Sequence, residues 1–290
     1  MKAIGLDIGT TTVSACVLDA ESGKVIKSVT IPHSFLAADH PWEKVQSVQE
    51  IELLAEQILT QITQEYDDIV CLGLTGQMHG IIYLDKNGNP VSDLITWQDG
   101  RGDLCIDGSD ETYAQMLSRI SGYACASGFG AVTYYHDLCC GSVDENAVCF
   151  CTVHDYLMMR LCGLKTPVTH PSDAASFGLF DLSAGAFDAN AIAAAGMDSA
   201  MFPSVSSDCV VMSRYGFPVA VAIGDNQACF FGSVRDTKES LLVNVGTGSQ
   251  ISCCADNPVP TQKIEVRPYT DGSFLLSGVS ASRRTCLCTA

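Results

Sequence analysis

Apolar residues alternate with small or polar ones over residues 3–8 and again over 12–18. That two-residue period predicts a pair of half-buried strands forming a hairpin. Residues 24–32 read as a third strand. Over 43–65 the period changes, and Ile51, Leu54, Ile58 and Ile62 fall on one face of a helix. Residues 69–75 (IVCLGLT) read as a buried strand ending at Gly76, and Ile81–Leu84 as a short one before a turn at Lys86-Asn87-Gly88-Asn89-Pro90. Strands, a helix and another strand predict a mixed α/β sheet. Farther along, Asp110–Ser121, Val153–Cys162 and Asp188–Ala195 read as helices. Val219–Ile223 reads as a strand leading into GDNQA, with a helix opening over 226–234.

One local pattern occurs twice. Residues 4–19 read IGLDIGTTTVSACVLD, and residues 241–256 read LLVNVGTGSQISCCAD. Each is an apolar strand, a turn opening Gly-Thr and a second strand. Glycine lets backbone N–H groups come close to an anion, and threonine adds a hydroxyl donor. Two such turns predict a grip on a phosphate chain from two sides. The plainer reading is two hairpins with similar turns. A Walker loop is excluded, because no GxxxxGK[ST] string occurs.

Charge narrows the partners. The 290 residues carry 16 basic and 33 acidic side chains, a net charge of −17. A nucleic acid or an anionic membrane is therefore not expected, since no basic stripe exists to neutralise phosphates. The chain starts directly on a strand, with no signal-peptide pattern and no apolar run long enough for a membrane span, so a cytoplasmic location is expected. The 15 cysteines include the neighbours Cys139–Cys140 and Cys253–Cys254 but no CxxC. They read as reduced, buried small hydrophobes rather than metal or redox groups.

Three strings carry candidate chemistry. TGQMHG (75–80) follows a buried strand, where open α/β sheets bind ligands; His79 alone reads more simply as a hydrogen-bonded structural histidine. WQDGR (97–101) joins an aromatic plate to a carboxylate and a guanidinium, a set suited to a sugar, or else a turn beside a packed tryptophan. AIGDNQA (222–228) puts Asp225 between a strand and a helix, as a proton acceptor for a hydroxyl or as a helix cap.

Taken in order, DIGTTT, TGQMHG, WQDGR, HDYLMMRLCG, SDAASFGLFDL, GDNQA and VNVGTGS resemble the FGGY carbohydrate kinases. Within that family the chain looks most like the branch acting on sedoheptulose, ahead of the xylulose branch. The resemblance implies a ribonuclease H-like (actin/hexokinase ATPase) α/β fold. Residues 1–236 would be a complete sugar-binding domain, and 237–278 the start of a nucleotide-binding domain. It also implies phosphorylation of a ketose primary hydroxyl by MgATP, with Asp225 as general base. Gly9, Thr10 and Thr11, and Gly246, Thr247 and Gly248, would hold phosphates, and Asp7 would sit near Mg²⁺ through water. Gln77, Met78, His79, Trp97, Asp99, Arg101 and Asn226 would line the sugar site. A homodimer is compatible with the family. The family's glycine-rich adenosine segment is not among these residues, and 279–290 read as an aberrant tail. Impaired turnover with better-kept sugar binding is therefore expected. The rival classes are a non-catalytic sugar-binding module and an actin-like ATPase; the latter has no use for GQMHG or WQDGR.

Overall fold

The alternation at the N-terminus turns Ile4, Leu6 and Ile8 inward on strand β1 (Lys2–Ile8). Val13, Ala15 and Val17 do the same on β2 (Thr12–Asp19). The computed structural model describes residues 1–245, 249–258 and 264–280. β1 and β2 pair antiparallel around the Gly9–Thr11 turn, and β3 (Lys24–Pro32) continues the meander.

The predicted helix over 43–65 begins later. Val45–Gln46 form a short strand, β4, and helix α1 runs Val48–Glu65. Ser47 sets that start, because its hydroxyl accepts the Glu50 N–H at 3.2 Å. Ile51, Ile58 and Ile62 are buried as expected, joined by Val48, Ala55 and Leu59. Strand β5 (Ile69–Gly76) then runs parallel to β1. The short strands β6 (Ile82–Leu84) and β7 (Leu94–Ile95) follow, and β7 pairs with β4.

Helix α2 (Tyr113–Ser121) starts three residues after the expected Asp110, where Thr112 and Gln115 form a capping box. Helix α3 (Gly130–Cys140) had no sequence signal. Every residue from Gly130 to Asp137 is buried, so no apolar stripe marks a face. Strand β8 (Cys149–Cys151) pairs with β6 and leads to α4 (Val153–Cys162), which has the predicted bounds. Helices α5 (Pro171–Ser176) and α6 (Ala189–Ala194) are short, and Asp188 caps the second instead of belonging to it. The strand expected over 219–223 is broken. Pro218–Ala220 and Ile223–Gly224 each pair with β5, separated by the buried Val221 and Ala222. Helix α7 (Asp225–Ser233) follows at once.

The main sheet has the order Val210–Met212, Pro218–Ala220, β5, β1, β2, β3, with Ile223–Gly224 also on β5. α1 and α4 cover one face and share its core with Ile4, Leu6, Leu72 and Leu74. A second cluster joins α2, α3 and α6 around Phe150, Phe177 and Phe202. These elements form one unit, Met1–Asp181 with Ala186–Asp225. The second unit comprises Leu182–Gly185 and the residues from Asn226 onward. Its described strands are ordered Leu241–Val245, Ser249–Ala255, Phe274–Ser280, Glu265–Pro268, over a small core of Phe230, Tyr269 and Leu275. Among the described residues, no helix is long and apolar enough to cross a membrane.

The cysteines depart from expectation. Cys151 is buried, but Cys71, Cys105, Cys139, Cys140 and Cys229 are exposed. They lie on element ends and outward-facing positions where burial was not available.

Ile58 is fully buried on α1 against the sheet core. Ile58→Ala is expected to cost about 2–5 kcal/mol of unfolding free energy. Urea titration followed by far-UV circular dichroism measures it, with the exposed Leu53→Ala as a near-neutral control.

Candidate functional site

Three parallel strand ends stand side by side. β1 and β5 are in register at Asp7↔Thr75 and Ile8↔Gly76, and β5 meets the last short strand at Thr75↔Ile223 and Gly76↔Gly224. The next residue on each strand is Gly9, Gln77 or Asp225. The carboxyl edge of parallel strands is where open α/β sheets take ligands. Gln77 N–H donates to Ile8 O at 2.8 Å, which carries the pairing one step further. Asp225 is exposed as the first residue of α7.

The turn after β1 is held from several directions. Gly9 N–H donates to Thr12 O at 2.9 Å, and Gly9 O accepts from His33 Nε2 at 3.0 Å. Gln46 Nε2 donates to Thr10 O at 2.6 Å, and Gln46 Oε1 accepts Gln77 Nε2 at 2.8 Å. Trp97 Nε1 donates to Thr10 Oγ1 at 3.0 Å. Thr11 is left exposed at the tip. Gln46 is wholly buried and was not singled out from the sequence. A glutamine beside a helix start carries no periodic signal, and only its position across from Thr10 and Gln77 gives it a role. Gln77 Oε1 is buried with no hydrogen-bond partner among the described residues. Such an acceptor is costly to leave without a donor.

Trp97 is 44% exposed, with a free face beyond its bond to Thr10. Its backbone is fixed by Gly128, where φ is 86° and a Cβ would stand 2.0 Å from Trp97 O. His79 also has φ in the left-handed region, at 72°. Its N–H donates to Ser176 Oγ at 3.1 Å, its Nδ1 lies 2.7 Å from Ser176 O, and its ring stacks on Phe129 at 4.7 Å. These contacts anchor His79 to Ser176 and Phe129. Met78 beside it is buried.

Asp99 and Arg101 are bound to each other. Asp99 is 1% exposed and accepts from Lys44 N, Arg101 N and Arg101 Nε at 3.0, 3.1 and 2.8 Å. Arg101 Nη1 reaches Asp137 Oδ1 at 2.7 Å, and Tyr83 O–H donates to Asp137 Oδ2 at 3.0 Å. Burial works against the Arg101 charge, but the bonds to Asp99 and Asp137 outweigh it and raise its pKa. Burial likewise opposes ionisation of Asp137, yet bonds from His136 and Arg101 hold its carboxyl below the usual range. These bonds tie the WQDGR segment to α3 through Asp137.

Beneath the strand ends lies a cluster the sequence did not reveal. His154, Asp155 and Asp173 are fully buried, with ligating atoms within 4.8 Å of one another. His154 Nε2 is 3.2 Å from Asp173 Oδ2, close enough for an ion pair although not aligned as a hydrogen bond. A Cβ on Gly76 would stand 2.8 Å from His154 Nδ1, so the imidazole lies directly against the site's central strand. Burial disfavours its charge, but Asp173, Asp155 and Asp225 together raise its pKa to about 9. Burial raises Asp155, with Asp173 adding to it. Asp7 is raised by burial, and the His154 charge opposes that shift. HDYLMMRLCG and SDAASFG contained these residues, but α4 is apolar nearly all round and no period shows which way His154 faces.

Asp7 is half-buried and makes no hydrogen bond or ion pair among the described residues. Its Oδ2 would lie 4.0 Å from a Cβ on Gly9. Gly246, Thr247 and Gly248 lie outside the described residues. Their flanking strands pair antiparallel, with Val245 opposite Ser249. Asn226 belongs to the second unit.

The mixed α/β sheet, with a glycine-threonine turn and ligand chemistry at its carboxyl edge, has the fold of solved sugar kinases of the ATPase type. Residues 2–242 match the model for the FGGY family of carbohydrate kinases, N-terminal domain. The chain belongs to that family. It is 27% identical to the sedoheptulokinase of Homo sapiens over 324 aligned positions, covering 96% of this chain and 66% of that protein. It is 27% identical to a glycerol kinase of Dichelobacter nodosus, covering 84% and 52%. Among solved structures, ligand-bound xylulose kinase from Lactobacillus acidophilus superposes with TM-score 0.83 at 20% identity, covering 97% of this chain and 60% of that one. The chain thus spans about two thirds or less of the length of these relatives.

His154 is protonated in the fold up to about pH 9, whereas in the unfolded chain it is protonated only to about pH 6.5. Its stabilising charge is complete below about pH 6.5 and is lost as pH rises towards 9. Asp155, also raised, adds a loss in the same direction from about pH 4 upward. The urea midpoint is therefore expected to fall between pH 6.5 and pH 9. His154→Gln, which leaves two carboxyls buried without a cation, is expected to cost about 3–5 kcal/mol at pH 7.

Proposed function

We propose that this chain carries the sugar-binding part of a ketose kinase that uses MgATP, with sedoheptulose as the first candidate sugar and xylulose as the second. The observation that carries the reading is the meeting of Gly9, Gln77 and Asp225 at one sheet edge. Family membership and the sedoheptulokinase relative support it.

Asp225 accepts the proton of the ketose primary hydroxyl as its oxygen attacks the γ-phosphorus. The bond from phosphorus to the ADP oxygen breaks, and ADP departs with the electron pair. Phosphoryl transfer asks for in-line positioning and charge neutralisation more than for covalent chemistry. The backbone N–H groups and hydroxyls of Thr10 and Thr11 supply donors to the phosphates, with Gly9 opening the turn, and Gly246, Thr247 and Gly248 are the second candidate turn. Asp7, a half-buried carboxylate beside the glycine turn with no hydrogen bond or ion pair among the described residues, fits an ion held through water. Mg²⁺ there would neutralise phosphate charge. Trp97 offers a face to the sugar's C–H bonds, and Gln77 Oε1 accepts from a hydroxyl. Met78, His79, Asp99 and Arg101 hold the wall of the sugar pocket.

Thermal unfolding in reducing buffer with each ketose tests the reading. A ketose at 100 times its Kd is expected to stabilise the chain by about 2.7 kcal/mol. No stabilisation by any C5 or C7 ketose would overturn it. Asp225→Asn is expected to keep that shift while lowering whatever ketose-dependent ADP release the unsubstituted chain shows by about 10²–10⁴-fold. An unchanged rate would remove Asp225 from the reaction.

A further inference from the structure

Helix α3 ends on a second group of reactive side chains, outside the sheet edge. His136 and Cys140 are one helical turn apart and face the same way. His136 Nδ1 is 2.9 Å from Asp137 Oδ1, and Cys140 Sγ is 3.7 Å from His136 Nε2. Asp137 is held ionised by its bonds from His136 and Arg101 despite its burial. A carboxylate there takes the Nδ1–H, which leaves the Nε2 lone pair towards the thiol. The imidazole is clamped edge-on to the Tyr113 ring at 4.7 Å. Tyr113 Oη lies 3.4 Å from the same sulfur, and its bond with Cys140 raises the phenol's pKa. Cys140 itself is exposed.

Thiol, imidazole and carboxylate in this order match the arrangement that activates a cysteine nucleophile. Cys71 and Cys105 are also exposed, but neither has an imidazole within hydrogen-bond reach among the described residues. We propose that Cys140 is a modification site: a thiol activated by His136 that forms a mixed disulfide with small-molecule disulfides. The Cys140 proton passes to His136 Nε2. The thiolate attacks one sulfur of the disulfide, the S–S bond breaks, and the departing thiolate leaves with the electron pair. It then takes the proton from the imidazolium. Cys140 is oxidised, the small disulfide is reduced to one thiol, and no further reactant is needed. The carboxylate that orients His136 also holds Arg101 Nη1 at 2.7 Å, so the modified residue lies three contacts from the WQDGR segment.

The test is site-resolved mass spectrometry of the intact folded chain after brief exposure to limiting dithiodipyridine at pH 7. Cys140 is expected to react at least about tenfold faster than Cys71 and Cys105, as a positioned base allows. His136→Gln is expected to bring Cys140 to within about twofold of those two cysteines. Denaturing the wild-type chain in urea should abolish the advantage, which makes the ratio readable even if the variant folds poorly. Equal rates for Cys140, Cys71 and Cys105 in the folded wild-type chain would overturn the proposal. So would a fast Cys140 that persists in urea or in a folded His136→Gln variant.

Discussion

The close approach of Gly76 to His154 governs the site. Any side chain at position 76 would meet the imidazole at 2.8 Å and the Ile8 backbone at 3.0 Å. Because glycine stands there, the fully buried His154 comes up against the central strand. Its charge offsets Asp173 and acts on Asp7 and Asp225. A buried charge is tolerated when its partner is close and when removing either one is worse than keeping both. The strand register, the two exposed or half-exposed carboxylates and the buried cation are thus one electrostatic unit. Gly76 is the position that cannot vary without disturbing all of it.

What could be read beforehand followed from periodicity. The β1–β2 hairpin, β3, α1, β5 and α4 all have one-sided or continuous apolar patterns with clear stops, and their positions came out within a few residues. The misses have a common physical origin. α3 is surrounded by protein, so it has no polar face to give it a period. α1 begins late because a cap and a strand pairing with Leu94–Ile95 decide its start, and pairing partners far along the chain are invisible locally. The strand before α7 breaks because Val221 and Ala222 are buried without joining the β5 ladder, which an apolar run does not disclose.

The candidate site divides along the same line. Gly9, Gln77 and Asp225 stood out as residues at strand ends, and the fold sets them side by side. Asp99 and Arg101 stood out by chemistry. Their bonds to each other, to Lys44 and to Asp137 give them a load on the surrounding loops as well as a place near Trp97. Gln46, Asp137 and the His154 cluster carry no local signal because their importance lies in contacts between residues far apart in the sequence. The cysteines were misjudged for a different reason. Composition suggests burial for this residue type on average, and an average does not place individual thiols such as Cys140 at a helix end.

Trp97 has a practical consequence. The chain contains two tryptophans, Trp42 and Trp97. Trp97 donates its indole N–H to the first threonine of the turn, and Trp42 lies 5.9 Å from the Arg101 guanidinium and 6.4 Å from the His136 ring. Both indoles therefore sit within a few ångströms of groups whose arrangement defines the site, and no distant tryptophan dilutes them. The intrinsic emission of this protein is in effect a built-in probe of that region. It reports the surroundings of the Thr10 turn through Trp97 and of the Arg101–His136 wall through Trp42.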